Sequence, residues 1–134
     1  LEADHSGLSE YLATIALQKG KIDELREKAR IVFRRNLRIL RGWIEECAEM
    51  LSCVVPEAGG SAFPKYKLDR DARQICEKLL EQESILLSPG DYFGSPKHFR
   101  IRYGGHDEQT LTYVFGRIRE FLQDQRQTED PRAR

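Results

Sequence analysis

The chain is 134 residues long, 40% hydrophobic and 33% charged, with 22 Lys and Arg balanced by 22 Asp and Glu. That is one domain's length with apolar residues enough for a core. A formal charge of zero lacks the basic excess of a typical nucleic-acid binder.

The elements are read in chain order. Ser9 to Lys19 reads as a helix, with Leu8, Tyr11, Leu12 and Ile15 at helical spacing and Gly20 as its C-terminal cap. From Ile22 to Leu51 a second apolar stripe continues for about eight turns, one long helix with Arg30, Arg34, Arg38 and Arg41 on its opposite side. Ser52-Cys53-Val54-Val55 reads as a short strand ended by Pro56, and Ala58 to Ser61 as a turn. Ala62 to Leu68 reads as extended, with Pro64 suited to a sheet edge or bulge. Asp69 is the expected N-cap of a third helix that buries Ala72, Ile75, Cys76, Leu79 and Leu80. Ile85-Leu86-Leu87 reads as a buried strand broken by Pro89-Gly90-Asp91. Phe99 to Tyr103 alternates, so Phe99, Ile101 and Tyr103 share one face and Arg100 and Arg102 the other. Gly104-Gly105 ends that strand, and Asp107 caps a last helix that turns Leu111, Phe115, Ile118 and Leu122 inward. The succession predicts an α+β fold: a two-layer sandwich of a small, mostly antiparallel sheet covered by helices and entered by one long helix. The first and last helices are expected to pack beside the long one. Residues 1–124 read as the domain, and 125–134 as a frayed tail.

The chemistry-bearing inventory is short. Three cysteines with no CxxC pair point to reduced, mostly buried thiols and away from a disulfide scaffold or a zinc site. His5, His98 and His106 each neighbour a turn or a terminus and read as exposed; none sits in a metal-ligating pattern. The glycine pairs 59–60 and 104–105 read as turn glycines that accept positive φ. No nucleophile elbow, phosphate loop or dinucleotide fingerprint occurs. The arginine face of the long helix, Arg35 included, has Glu24, Glu27, Glu45 and Glu46 at helical spacing, which favours a solvated or salt-bridged surface over a phosphate grip. No apolar run approaches the ~18 residues of a membrane span, and no signal peptide is visible. The expectation is a cytoplasmic protein with no nucleic-acid or membrane partner. Lacking a first Met, the chain reads as a piece of a longer one. Arg100 and Arg102 stand apart: two guanidiniums on one strand face are costly to leave unpaired, and each fork matches a carboxylate. The carboxylate could be a local Glu or Asp or an acidic ligand.

Taken together, four segments resemble a known family. These are Val55-Pro56-Glu57-Ala58-Gly59-Gly60-Ser61-Ala62-Phe63, the helix after it, Ile85-Leu86-Leu87-Ser88-Pro89-Gly90-Asp91-Tyr92-Phe93-Gly94, and Phe99-Arg100-Ile101 before an amphipathic helix. They look like the C-terminal small domain of class I/II aminotransferases, pyridoxal-phosphate enzymes of the aspartate aminotransferase fold. Phe33-Arg34-Arg35-Asn36 is similar to a run in the long helix that enters that domain. The resemblance runs from about Leu8 to Leu122, and it is carried by the order and spacing of the motifs. It implies that Arg100 binds the α-carboxylate of an amino-acid or 2-oxo-acid substrate, with the Pro89–Gly94 loop at the mouth of the site. Arg102 stands where many members have a small residue, so the register between the two arginines stays open. The family's Schiff-base lysine segment, its pyridine-pairing Asp and its phosphate-binding turn have no match here. The resemblance therefore implies a substrate-side domain with no catalytic, cofactor-binding or metal-ligating residue of its own, inactive alone. Its missing large domain would carry the pyridoxal phosphate, in a parent expected to be a homodimer. A fold-type I lyase or synthase shares these features. An independent α+β module for an acidic ligand and a basic-helix nucleic-acid binder are the other readings.

Overall fold

A computed structural model describes residues 6–129. His5 and the last residues of the expected tail, 130–134, lie outside that range. The described residues divide into two compact units, the first ending at Val32 and the second beginning at Phe33.

In the first unit, helix α1 (Gly7–Ala16) is capped by Ser6, whose Oγ accepts from the Ser9 N–H at 3.3 Å. It stops at Leu17, three residues before Gly20, and Gly20 lies in the first turn of helix α2 (Lys19–Glu46). A Leu17 N–H bond to the Ala13 carbonyl closes α1 without glycine. The apolar stripe of α1 buries nothing: Leu8, Tyr11 and Leu12 are 68%, 64% and 57% exposed. That corrects the expectation that this first helix packs beside the long one. Of the arginine face, Arg30 makes the expected helical-spacing pair with Glu27 at 3.5 Å, and Lys28 pairs with Glu24 at 2.6 Å beside it.

The second unit holds the core. Leu40 and Trp43 of α2, Cys47 just past its end, Ile75, Cys76 and Leu79 of helix α3 (Ala72–Glu83), and Leu111, Phe115, Ile118 and Leu122 of helix α4 (Glu108–Glu129) are buried together. Trp43 stacks on Phe115 at 4.7 Å. Two small antiparallel sheets complete the α+β architecture. One pairs β1 (Leu51–Ser52) with β3 (Lys65–Tyr66). The other has the order β2 (Ser61–Ala62), β5 (Phe99–Arg102), β4 (Ser88–Pro89). Helix α4 runs on to Glu129, into the segment expected to be the tail.

Several local expectations shift. Asp71, not Asp69, caps α3 by accepting from the Arg73 N–H at 2.7 Å, and Asp69 instead receives Lys97 Nζ at 3.0 Å. Ile85 and Leu87 are buried and Leu86 is 77% exposed, but this alternating segment has no ladder partner; the strand begins at Ser88. Pro89 is tolerated there because β4 is an edge. Of the paired glycines only Gly59 has positive φ, at +81°. Gly60 and Gly104 serve close approach: a Cβ on Gly104 would stand 2.6 Å from Phe33 Cε1 and 2.7 Å from the Gly60 Cα.

Candidate functional site

Strand β5 is the middle of its sheet. Its register sets Ala62 opposite Ile101, Ser61 opposite Arg102 and Ser88 opposite Arg100. Phe99 and Ile101 are 0% and 3% exposed, so the alternation sends Arg100 and Arg102 to the open face. Both ends of the strand are tied down. At the start, the Gly90 N–H donates to the His98 carbonyl at 2.8 Å and the Phe99 N–H to the Pro64 carbonyl at 3.1 Å. Past its end, the Nδ2 of fully buried Asn36 donates to the carbonyls of Tyr103 and His106, at 2.6 and 2.8 Å. The Tyr103 hydroxyl adds a bond to the Gly59 carbonyl at 2.9 Å.

Arg100 lines two clefts. One, of about 420 Å³, has walls of Val54, Pro56, Ala62, Phe63 and Phe93, with the Ser61 backbone strand beside them. The other, of about 550 Å³, lies toward β4 and holds Ser84, Ser88, Arg102 and His106. Neither lining contains a lysine or a carboxylate. Arg100 pairs with no carboxylate among the described residues; its guanidinium carbon stands 5.9 Å from the centre of the Phe93 ring. Phe93 meets Phe63 edge-on at 5.7 Å, and Phe63 stacks on His98 at 4.9 Å. The reading of His98 as exposed is therefore corrected: it is half-buried, with Nδ1 3.1 Å from the Pro96 carbonyl. Sequence reasoning gave Phe93 and Phe63 no role; the only signal was the Pro-Gly-x-x-Phe-Gly spacing.

The remaining reactive groups are quiet. Burial pushes the thiols of Cys47 and Cys76 up to about 11 and raises Cys53, which keeps them protonated and weakly nucleophilic at neutral pH. No group of three metal-ligating side chains occurs among the described residues. No helix among them is long and apolar enough to cross a membrane.

The chain is similar to known proteins in sequence and fold. The aminotransferase class I and II family model matches residues 5–118. Capreomycidine synthase of Streptomyces vinaceus is 31% identical over 98 residues, covering 73% of this chain and 25% of that protein. Aspartate aminotransferase of Bacillus subtilis (strain 168) is 29% identical over 124 residues, covering 88% of this chain and 30% of that one. A PLP-dependent aminotransferase from Streptococcus suis 89-1591 has a crystal structure that superposes with a TM-score of 0.81 at 27% identity, over 88% of this chain and 30% of its own. The chain thus spans about a quarter to a third of the length of these relatives. A match from residue 5 to residue 118, across α1 and into α4, means that this chain belongs to the class I and II aminotransferase family.

Proposed function

We propose that this chain is the substrate-side small domain of a pyridoxal-phosphate-dependent aminotransferase, and that Arg100 binds the α-carboxylate of an amino acid or 2-oxo acid. The observation that carries the reading is an outward guanidinium between two clefts, on a strand pinned at both ends, with no acid among the described residues consuming its donors. A fork of N–H groups in fixed geometry binds a carboxylate with two parallel bonds, which orients the substrate as well as holding it.

The residues present fit the acid end of a substrate and do not fit the cofactor. A pyridoxal aldehyde needs an amine, and the cleft linings have no lysine. Lys97 is committed elsewhere: its Nζ donates to the Leu68 carbonyl and to Asp69, each at 3.0 Å. The cofactor, the proton-moving lysine and the second half of the site belong to a large domain, and the full enzyme works in the cytoplasm in amino-acid metabolism, as a dimer. Adding pyridoxal phosphate to this chain alone should give no Schiff-base absorbance.

The 31% identical relative is named a synthase, which supports a second reading: a fold-type I synthase or lyase using the same carboxylate grip. Arg100→Ala in the full-length enzyme tests what the two share. Losing a charge-assisted, two-bond contact of ~1.5–3 kcal/mol should cut kcat/KM by about 10- to 100-fold. An unchanged KM for every amino acid tried would remove Arg100 from the site, and product analysis separates transamination from lyase or synthase chemistry.

A further inference from the structure

The Pro89–Gly94 loop has more order than a loop at a cleft mouth requires. Gly90 is buried, and a Cβ there would stand 2.2 Å from the Ser95 carbonyl oxygen and 2.7 Å from that of His98. Only glycine lets this loop press onto the start of β5. The Ser95 N–H then returns to the Gly90 carbonyl at 3.0 Å, and Gly94, at φ +66°, closes the 3-10 turn. Phe93 rides on that turn, is 50% exposed and lines the smaller cleft together with Arg100. Its ring lies by the Arg100 guanidinium and is braced edge-on by Phe63, which is backed in turn by His98.

An unpaired arginine on an open sheet face has a long stem with many rotamers, and a carboxylate that fixed it would also occupy its donors. An aromatic face does the first without the second. It attracts the cation through the ring quadrupole and accepts none of the in-plane N–H bonds, so the fork stays available. We infer that Phe93 is a positioning residue for Arg100: held by the glycine-locked loop and braced by Phe63, it keeps the guanidinium ready for the acid group of a substrate. This rests on the reading of Arg100 as the carboxylate ligand.

Two measurements on Phe93→Leu and Phe93→Tyr test it. In the chain itself, the heteronuclear NOE of the Arg100 Nε–Hε group should fall in Phe93→Leu and return in Phe93→Tyr. An NOE equal in all three proteins overturns the inference. In the full-length holoenzyme, with the best donor among the common l-amino acids and 2-oxoglutarate as acceptor, Phe93→Leu should raise KM about fivefold and change kcat less than twofold. Phe93→Tyr should restore KM. In an Arg100→Ala background Phe93→Leu should add nothing, because its effect passes through the guanidinium. A fivefold rise that persists there means that Phe93 acts without Arg100, and the inference fails while the carboxylate reading stands. Arg100→Ala without effect on KM sinks both.

Discussion

Arginines on two surfaces of the second unit are treated in opposite ways. On α4, Arg117 meets Glu83 at 2.7 Å and also Glu120, Arg119 meets Glu46, and Arg126 meets Glu49 at 2.8 Å. These pairs tie α4 to α3 and to the end of α2, and the charges are spent on the fold. On β5, Arg100 and Arg102 share an open face, and neither has a carboxylate among the described residues. Equal numbers of acids and bases in the chain would allow every cation a partner. The contrast is between charges that hold helices together and two exposed cations that, like Arg34, Arg38 and Arg41 of α2, meet no carboxylate among the described residues.

The strongest way to break that contrast is to delete a charge from each surface and compare activity with stability. Arg100→Ala should cost about 10- to 100-fold in kcat/KM, roughly 1.4 to 2.7 kcal/mol of transition-state binding. It should leave the urea midpoint unchanged, since no partner is orphaned. A fall in stability of more than about 1 kcal/mol would mean that Arg100 has a structural partner after all. Next in size is the anchor beneath the site. Asn36→Ala leaves the Tyr103 carbonyl short of a donor in a buried setting, while Arg35 Nη2 still reaches the His106 carbonyl at 3.2 Å. It should lower the unfolding free energy by about 2 kcal/mol at unchanged m value. A KM that drifts upward along with it would show that the pinning of β5 is felt at Arg100. On the paired surface, Glu83→Gln removes the least exposed acid of the α4 set, 15% accessible against 82% for Glu49. Thermal unfolding should fall measurably for Glu83→Gln and stay flat for Glu49→Gln, with activity untouched in both.

How much of this could be read in the sequence depends on whether the deciding contact is local. The Phe99–Arg102 alternation put both arginines on one face because strand periodicity is a property of the segment itself. The helices were legible for the same reason, and their ends were less so. Asp69 and Asp71 are both good caps, and the Lys97 ammonium, distant in sequence, takes Asp69. Ile85-Leu86-Leu87 has strand chemistry but no partner strand, and pairing cannot be seen in one segment. Strands β1 to β4 are two residues each, too short for any period to register. The close approach of Gly60 and Gly104, and the ring beside Arg100, join residues tens of positions or a loop apart. Composition gives no hint of either.

The smallest expected effect settles the register between the two arginines. Arg102 lies two residues along the same face, so each could in principle grip the same acid. Their surroundings differ. Arg100 lines both clefts and has the Phe93 ring beside it, whereas Arg102 lines only the larger cleft and has no aromatic neighbour at its guanidinium among the described residues. A flexible cation without a prop keeps its rotamer freedom and must surrender it on binding, which erodes its gain from a single carboxylate. Arg102→Ala should therefore move KM less than twofold and leave stability where it was. A tenfold rise in KM with Arg102→Ala and none with Arg100→Ala would transfer the carboxylate site by two residues, and would strip Phe93 of the role its position suggests.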